Sequence, residues 1–563
     1  KDGKSPPNNW RSTCEGGAWE YDDARGEYYL HVFAKKQPDL NMDNPKVREE
    51  VKNIMRFWLD MGVDGFREDV ITFISKREGL PNGFPLPIAT GIEHYNKGPH
   101  IHEYLSEFRR DICKDYDCFM VGESPMTNSK DALAFTSGPN RELDMMISFD
   151  HMQADCFMTD TIAMPFSLRK MKKAFTHWQE DLYGKSWNAL YLENHDHPRI
   201  ISRYGSEKFR KESGKMLATM CYFQCGTPFI YQGQEIGMIN NHLDDIHKFK
   251  DVVTFNNERL FKKFGFSDAK YLEIANRTSR ENARTPVQWD SSQYAGFSPV
   301  EPWFGVAPSY KEINVKEAER DKDSILHYYR KLLKIRQSSK LFIYGSYREH
   351  CPESKDFYCY ERNYEGQKAL IICSFAEETR TFRAPEGFDL TEGKLLLCNY
   401  KDAPAKPNIC AMRPYEASVY LYESATLHKI QSETLRSKAA AERFSSNLVL
   451  AQLPLAQQLG ETPLPQHLID GDGHGVREVQ TAGARVVEHG QPRAKRGVFM
   501  QQPFGQAFRL LAEKQICIFG IPQIGIHVLA LCGKEKEIVL LRRFFQKIPQ
   551  AVIIGDVQQP PIV

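Results

Sequence analysis

Residues 44–70 read NPKVREEVKNIMRFWLDMGVDGFREDV, and this stretch decides the fold. Asn44 can cap a helix by accepting a backbone N–H, and Pro45 suits the first helical position, where a missing N–H costs nothing. Val47, Val51, Ile54, Met55, Trp58 and Leu59 then recur at helical spacing and make one apolar face. Met61-Gly62 ends the helix, and residues 63–71 read as a short buried strand. A helix feeding directly into a strand is half of a β/α repeat.

The rhythm continues outward. A helix over 102–113 precedes a strand at 118–122; a strand at 143–149 is followed by a helix at 167–179. A strand at 189–193, a helix at 206–224 and a strand at 228–232 complete the series. Such alternation argues for a parallel sheet, doubly wound or closed into a barrel. After a long irregular excursion over roughly 239–310, residues 322–337 read as one more amphipathic helix. Short runs at 357–362, 369–374, 394–398 and 417–422, separated by turn signals, predict a small antiparallel β domain.

In barrel enzymes the chemistry sits at the C-terminal ends of the strands, and three of these strands end in carboxylates. In Gly65-Phe66-Arg67-Glu68-Asp69-Val70, Arg67 and Asp69 are two apart and share a face. An Arg beside an Asp keeps the carboxylate ionised at neutral pH, as a nucleophile requires. Met120-Val121-Gly122-Glu123 places a lone Glu after an apolar run, where desolvation raises a pKa into general-acid range. The third strand runs into Asn194-His195-Asp196. The separations between Asp69, Glu123 and Asp196, 54 and 73 residues, fit one and then two β/α units. Two carboxylates converging at about 5–5.5 Å, with a third nearby, are what retaining glycoside hydrolysis needs.

These residues carry a resemblance. Gly65 to Val70, Gly122-Glu123 and Asn194-His195-Asp196 resemble signature regions of the α-amylase superfamily, glycoside hydrolase family 13. Gln37-Pro38-Asp39-Leu40-Asn41, residues 231–238 (YQGQEIGM) and residues 283–290 (ARTPVQWD) are similar to stretches of its oligo-1,6-glucosidase branch. The resemblance covers roughly residues 5–423 and implies a retaining α-glucosidase hydrolysing α-1,6 links at the non-reducing end of isomalto-oligosaccharides. It implies Asp69 as nucleophile, Glu123 as acid/base, and Asp196 as the group that holds the sugar hydroxyls and stabilises the transition state. Arg67 would position Asp69, His195 would bond the hydroxyls of the same glucose, and Arg280 would close the floor of the pocket. Val70 matches the residue that α-1,6-cleaving members carry beside the nucleophile, where Thr or Ala is usual in α-1,4-specific ones.

The alternatives within the family are an α-1,4-glucosidase and a trehalose-6-phosphate hydrolase. From another class comes a non-catalytic amylase-like binding subunit, against which all three carboxylates count. No cofactor and no metal is expected; a family calcium site would belong to sequence preceding this chain. Three residues depart from the family pattern: Glu68, on the helix-facing side of its strand, and Met42 and His197, where Trp and Gln are usual. The fold expected is an incomplete (β/α)8 barrel lacking about its first three strands, and the chain as it stands is not expected to be active. The domains are 1–43, the end of a protruding domain between barrel strands 3 and 4; 44–340, the C-terminal part of the catalytic barrel; 341–423, the antiparallel β domain; and 424–563, an unassigned tail.

Composition bounds the rest. The chain has 563 residues, 41% hydrophobic and 26% charged, which excludes a disordered or polytopic membrane protein. Lys plus Arg, 74, against Asp plus Glu, 73, leaves no electrostatic footprint for nucleic acid or an anionic membrane. The 13 cysteines lie without zinc-ligand spacing, and with no signal-peptide pattern near Lys1 the expected compartment is the cytoplasm and the expected state a monomer. All 7 Trp and 25 Tyr precede residue 423, and residues 424–563 hold only three Asp. That break points to a tail of different origin, chimeric or mistranslated. Within it, residues 436–442 are helix-like, 471–475 lack the context of a phosphate loop, and 491–496 form a small basic run. Residues 516–533 carry no charge, but Pro522, Gln523 and His527 interrupt them, so no membrane span is expected.

Overall fold

A computed structural model of the chain describes residues 5–14, 16–85, 89–157, 159–402 and 406–423, together with strands at 515–521, 526–532 and 552–554. The features expected at 436–442, 471–475 and 491–496 lie outside the described residues.

A hairpin of β1 (Trp19–Asp22) and β2 (Glu27–Leu30) opens the fold. Helix α1 (Pro45–Asp60) starts as its sequence demands: Asn44 Oδ1 accepts from Lys46 N at 3.0 Å, with Pro45 in the first turn. Its face of Val51, Met55, Trp58 and Leu59 is buried. Burial of a large side chain of this kind is worth roughly 1.5–3 kcal/mol. Then come β3 (Gly65–Glu68), α2 (Ile92–Tyr95), α3 (Ile101–Cys113), β4 (Phe119–Ser124), α4 (Ser129–Thr136) and β5 (Met145–Ser148). The short pair β6 (Cys156–Phe157) and β7 (Thr159–Ala163) leads to α5 (Leu168–Leu182), β8 (Trp187–Tyr191), α6 (Ile200–Tyr204), α7 (Arg210–Tyr222) and β9 (Thr227–Phe229). Lys52, buried on α1, donates to Glu107 and Asp111 of α3 at 2.8 Å each and ties the two helices together.

Strands β3, β4, β5, β8 and β9 are parallel neighbours in chain order. A doubly wound sheet reverses its strand order part-way; this one does not, and its five parallel strands run in the chain order of part of a β/α barrel. A barrel that lacks its first strands leaves an open edge at β3. In this chain β17 (Gln515–Ile521), β18 (Ile526–Cys532) and β19 (Val552–Ile554) extend the sheet there, with Val528 opposite Phe66 in antiparallel register. Within the uncharged stretch at 516–533, β17 and β18 pair antiparallel. No helix among the described residues is long and apolar enough to cross a membrane.

The 239–310 segment differs from its irregular reading, since it contains α8 (Val252–Lys263) and α9 (Asp268–Thr278). Few of their residues are buried, Thr254 in α8 and Tyr271 and Ala275 in α9, and each is capped at its N-terminus, by Asp251 and by Ser267. The helix expected over 206–224 is α7, and the short α6 before it stops at Gly205, where a Cβ would press on Ser213 Oγ at 2.8 Å. Helices α10 (Val315–Arg320), α11 (Ile325–Gln337) and α12 (Lys340–Tyr344) lead into the antiparallel part. There β10 (Ser346–Glu349), β11 (Phe357–Tyr364), β12 (Gln367–Ser374), β14 (Lys394–Cys398) and β16 (Ala417–Glu423) make one sheet in the order β10-β11-β12-β16-β14. Strands β13 (Arg380–Arg383) and β15 (Ile409–Met412) pair separately. One core runs through both parts, with Met216, Leu217 and Met220 of α7 packed with Ile371 and Val419.

Candidate active site

Strand β3 ends at Glu68, three residues before the end of the strand expected from sequence, because Val70 adopts φ 39°, ψ 46°. A β-branched residue rarely enters this left-handed region, and such strain clusters at functional sites. The turn lifts Asp69 out of the strand and starts a 3₁₀ turn at Ile71–Phe73. Val70 itself packs beside Trp10, Phe73 and Tyr95. The neighbouring strand accommodates the turn through Gly122, whose Cβ would collide with Ile71 Cγ2 and Leu143 Cδ1. The Gly before Glu123 is therefore a requirement of close packing.

Arg67 joins the two carboxylates at the ends of β3 and β4. Its Nη1 is 2.5 Å from Asp69 Oδ1 and its Nη2 is 2.5 Å from Glu123 Oε1. Glu123 is buried and also shares a side-chain hydrogen bond with Asp69. Desolvation pushes its pKa up to about 8; Arg67 opposes that shift, and the charges of Asp69 and Asp196 reinforce it. At neutral pH Glu123 keeps its proton.

Asp196 lies beyond β8, with its backbone N–H bonded to Asn194 Oδ1 at 2.8 Å. Its Oδ1 accepts from Arg280 Nη1 at 2.9 Å and from Arg284 Nη2 at 2.7 Å, and its Oδ2 is 3.3 Å from His195 Nε2. Burial opposes ionisation, but the charges of His195, Arg280 and Arg284 outweigh it and hold Asp196 well below the usual carboxylate range. Behind these arginines sits Asp251, the cap of α8, which accepts from Arg280 Nε and Nη2 and from Arg284 Nη1 at 3.4 Å. Arg284 also donates its Nε–H to the His195 carbonyl at 2.8 Å.

All of Arg67, Asp69, Glu123, His195, Asp196 and Arg280 thus converge, and Val70 flanks them at the strand end. Arg284 and Asp251 complete the network unanticipated. Arg284 stands four residues after Arg280 in a stretch whose family resemblance was already legible. Asp251 went unnoticed as a cap because the segment holding it read as irregular. Of the departures, Met42 joins the apolar core with Val51 and Met55, and buried His197 packs edge-on to Phe149 with its Nδ1 3.3 Å from Arg203 Nη1. Glu68 points into the helix-packed side with its Oε2 buried and without a hydrogen-bond partner among the described residues. Desolvation pushes its pKa up to about 8, so it resolves the cost of burial by staying protonated. No group of three His, Cys, Asp or Glu among the described residues is arranged to hold a metal ion.

Paired acid and carboxylate at adjacent strand ends, with a third carboxylate fixed by cations, suit acid-assisted displacement at a sugar carbon. Comparison with known proteins agrees. Residues 1–345 match the family described as "Alpha amylase, catalytic domain". The chain is 45% identical over 428 residues to the oligo-1,6-glucosidase of Parageobacillus thermoglucosidasius, covering 75% of this chain and 76% of that one. It is 39% identical over 421 residues to the trehalose-6-phosphate hydrolase of Bacillus subtilis (strain 168), covering 74% of each. Among solved structures, the trehalose-6-phosphate hydrolase of Bacillus licheniformis superposes with a TM-score of 0.69 at 40% identity, covering 75% of this chain and 76% of its own. The isomaltulose synthase of Klebsiella sp. LX3 superposes with a TM-score of 0.72 at 34% identity, covering 75% and 77%.

Proposed function

The chain belongs to the α-amylase family of glycoside hydrolases, and from that premise we propose that it is a retaining α-glucosidase that cleaves α-1,6 links at the non-reducing end of isomalto-oligosaccharides. One observation carries the reading: a protonated Glu123 and Asp69 are held against each other by the two arms of Arg67.

Asp69 attacks the anomeric carbon while Glu123 gives its proton to the departing glycosidic oxygen. Glu123, now a carboxylate, takes a proton from the water that releases the glucose. The hydrogen bond between the two carboxyls draws them closer than the roughly 5–5.5 Å that spans a glycosidic bond. The sugar entering the pocket therefore has to part them. Asp196, kept ionised, holds ring hydroxyls and faces the positive charge that develops on the sugar, with His195 and Arg280 beside it. The five parallel strands correspond to the last five of an eight-stranded (β/α) barrel. We place the protein in the cytoplasm, where free cysteines such as Cys221 and Cys373 stay reduced.

Val70 favours the α-1,6 reading over the α-1,4 and trehalose-6-phosphate alternatives, because a branched apolar residue beside the nucleophile shapes the leaving-group side of the pocket. The test is glucose release from isomaltose, maltose and trehalose 6-phosphate by the full-length protein that carries this sequence, with Asp69→Asn as control. Isomaltose should be the best substrate. Preference for trehalose 6-phosphate would overturn the linkage assignment, and undiminished activity in Asp69→Asn would remove the nucleophile.

A further inference from the structure

Away from the site, two cysteines face each other across the turn that feeds the strand bearing Glu123. Cys113 is the last residue of α3, and Cys118 directly precedes β4. The turn is tight: Asp115 N and Tyr116 N both donate to the Ile112 carbonyl, at 3.1 and 3.2 Å, and Cys118 N donates to the Tyr116 carbonyl at 3.1 Å. It leaves the two Sγ atoms 3.5 Å apart, in non-bonded contact, with both residues partly exposed. A disulfide needs about 2.05 Å between sulfurs, which the two side chains would have to reach by rotation.

The surroundings favour a thiolate at one of the two. The hydrogen bond from Cys118 lowers the Cys113 pKa against its burial, and the guanidinium of Arg109, one turn earlier on α3, adds to the effect. Cys351 and Cys359 also share a hydrogen bond, but Cys359 is wholly buried and out of reach of a dissolved oxidant.

We propose that Cys113 and Cys118 are a reversible redox pair, converted by a low-molecular-weight disulfide such as oxidised glutathione into an intrachain disulfide across the α3–β4 turn. The Cys113 thiolate attacks one sulfur of the oxidant, forming a mixed disulfide and expelling one thiolate. Cys118 then gives its proton to solvent, attacks Cys113 Sγ and expels the second thiolate. The protein loses two electrons and two protons, and the oxidant becomes two thiols. The new bond pins the C-terminus of α3 to the base of the strand that ends in Glu123.

Trypsin cuts after Lys114, between the two cysteines, so the product is directly readable. The native chain is treated with oxidised glutathione, quenched in acid, alkylated with N-ethylmaleimide, digested and analysed by mass spectrometry. The expected product is peptide 111–114 joined to peptide 115–130, lighter by two hydrogen atoms than the reduced pair and abolished by dithiothreitol. In Cys118→Ser, Cys113 should accumulate as a stable glutathione adduct. Separate alkylation of both cysteines, or separate glutathione adducts on both in the wild type, overturns the proposal. So does a linked peptide that forms equally fast in the urea-unfolded chain, since the fold would then contribute nothing.

Discussion

Glu123 Oε1 lies 2.5 Å from Arg67 Nη2, and yet the carboxyl keeps its proton up to a pH of about 8. A cation that close would ordinarily strip the proton; desolvation and the negative charges of Asp69 and Asp196 outweigh it. Arg67 therefore tunes the acid without ionising it, and the pair predicts how the enzyme responds to pH.

With Glu123 as the acid, kcat/KM should fall as pH rises through about 8. Arg67 draws that pKa down, so Arg67→Gln should move the alkaline limb to higher pH even as activity drops. A pH–rate profile in which the limb stays in place would separate Glu123 from the ionisation that controls the rate.

Glu123→Gln should cut kcat/KM for isomaltose by about 10²–10⁴-fold. An aryl glucoside whose phenolate leaves without a proton should lose far less in the bond-breaking step, as pre-steady-state release of the phenol would record. Equal losses on both substrates would contradict the acid role.

Glu68 predicts a pH dependence of stability. Its folded pKa of about 8 stands above the ordinary 4.5, so between those values the unfolded chain releases a proton that the folded chain retains. Stability contributed by this group is full below 4.5 and falls by up to about 1.4 kcal/mol per pH unit until about 8. Glu68→Gln should flatten that slope relative to wild type, and Glu68→Met should raise stability at pH 7 by a few kcal/mol. Urea unfolding at several pH values measures both.

Val70 carries the third expectation for activity. Val70→Thr should shift the ratio of isomaltose to maltose hydrolysis toward maltose by roughly 10-fold, within the range that one small side chain in a pocket achieves. Val70→Gly should relieve the left-handed strain at φ 39°, worth about 1–3 kcal/mol, and weaken the same preference. Competition assays with both disaccharides read the ratio directly.

Much of this was legible in the chain. The capped helix at 45–60 and the strand after it follow from local signals, namely Asn44-Pro45, a 3.6-residue apolar period and Gly62, which need no distant partner. Asp69, Glu123 and Asp196 stood out because each lies at or just beyond the end of an expected strand. The helices at 252–263 and 268–278 did not stand out, since a helix with so few buried residues is held by its caps and neighbours.

By itself, the sequence determined the β/α alternation, the family and the identity of the residues with chemistry to perform, because periodicity and short motifs are local properties. Only the tertiary structure decided how those residues act on one another. The proton on Glu123 and the ionisation of Asp196 depend on burial and on charges 54 to 88 positions away, from Asp69 to Glu123 and from Asp196 to Arg284. Desolvation and Coulomb energy depend on distance through space, and a one-dimensional reading does not contain it.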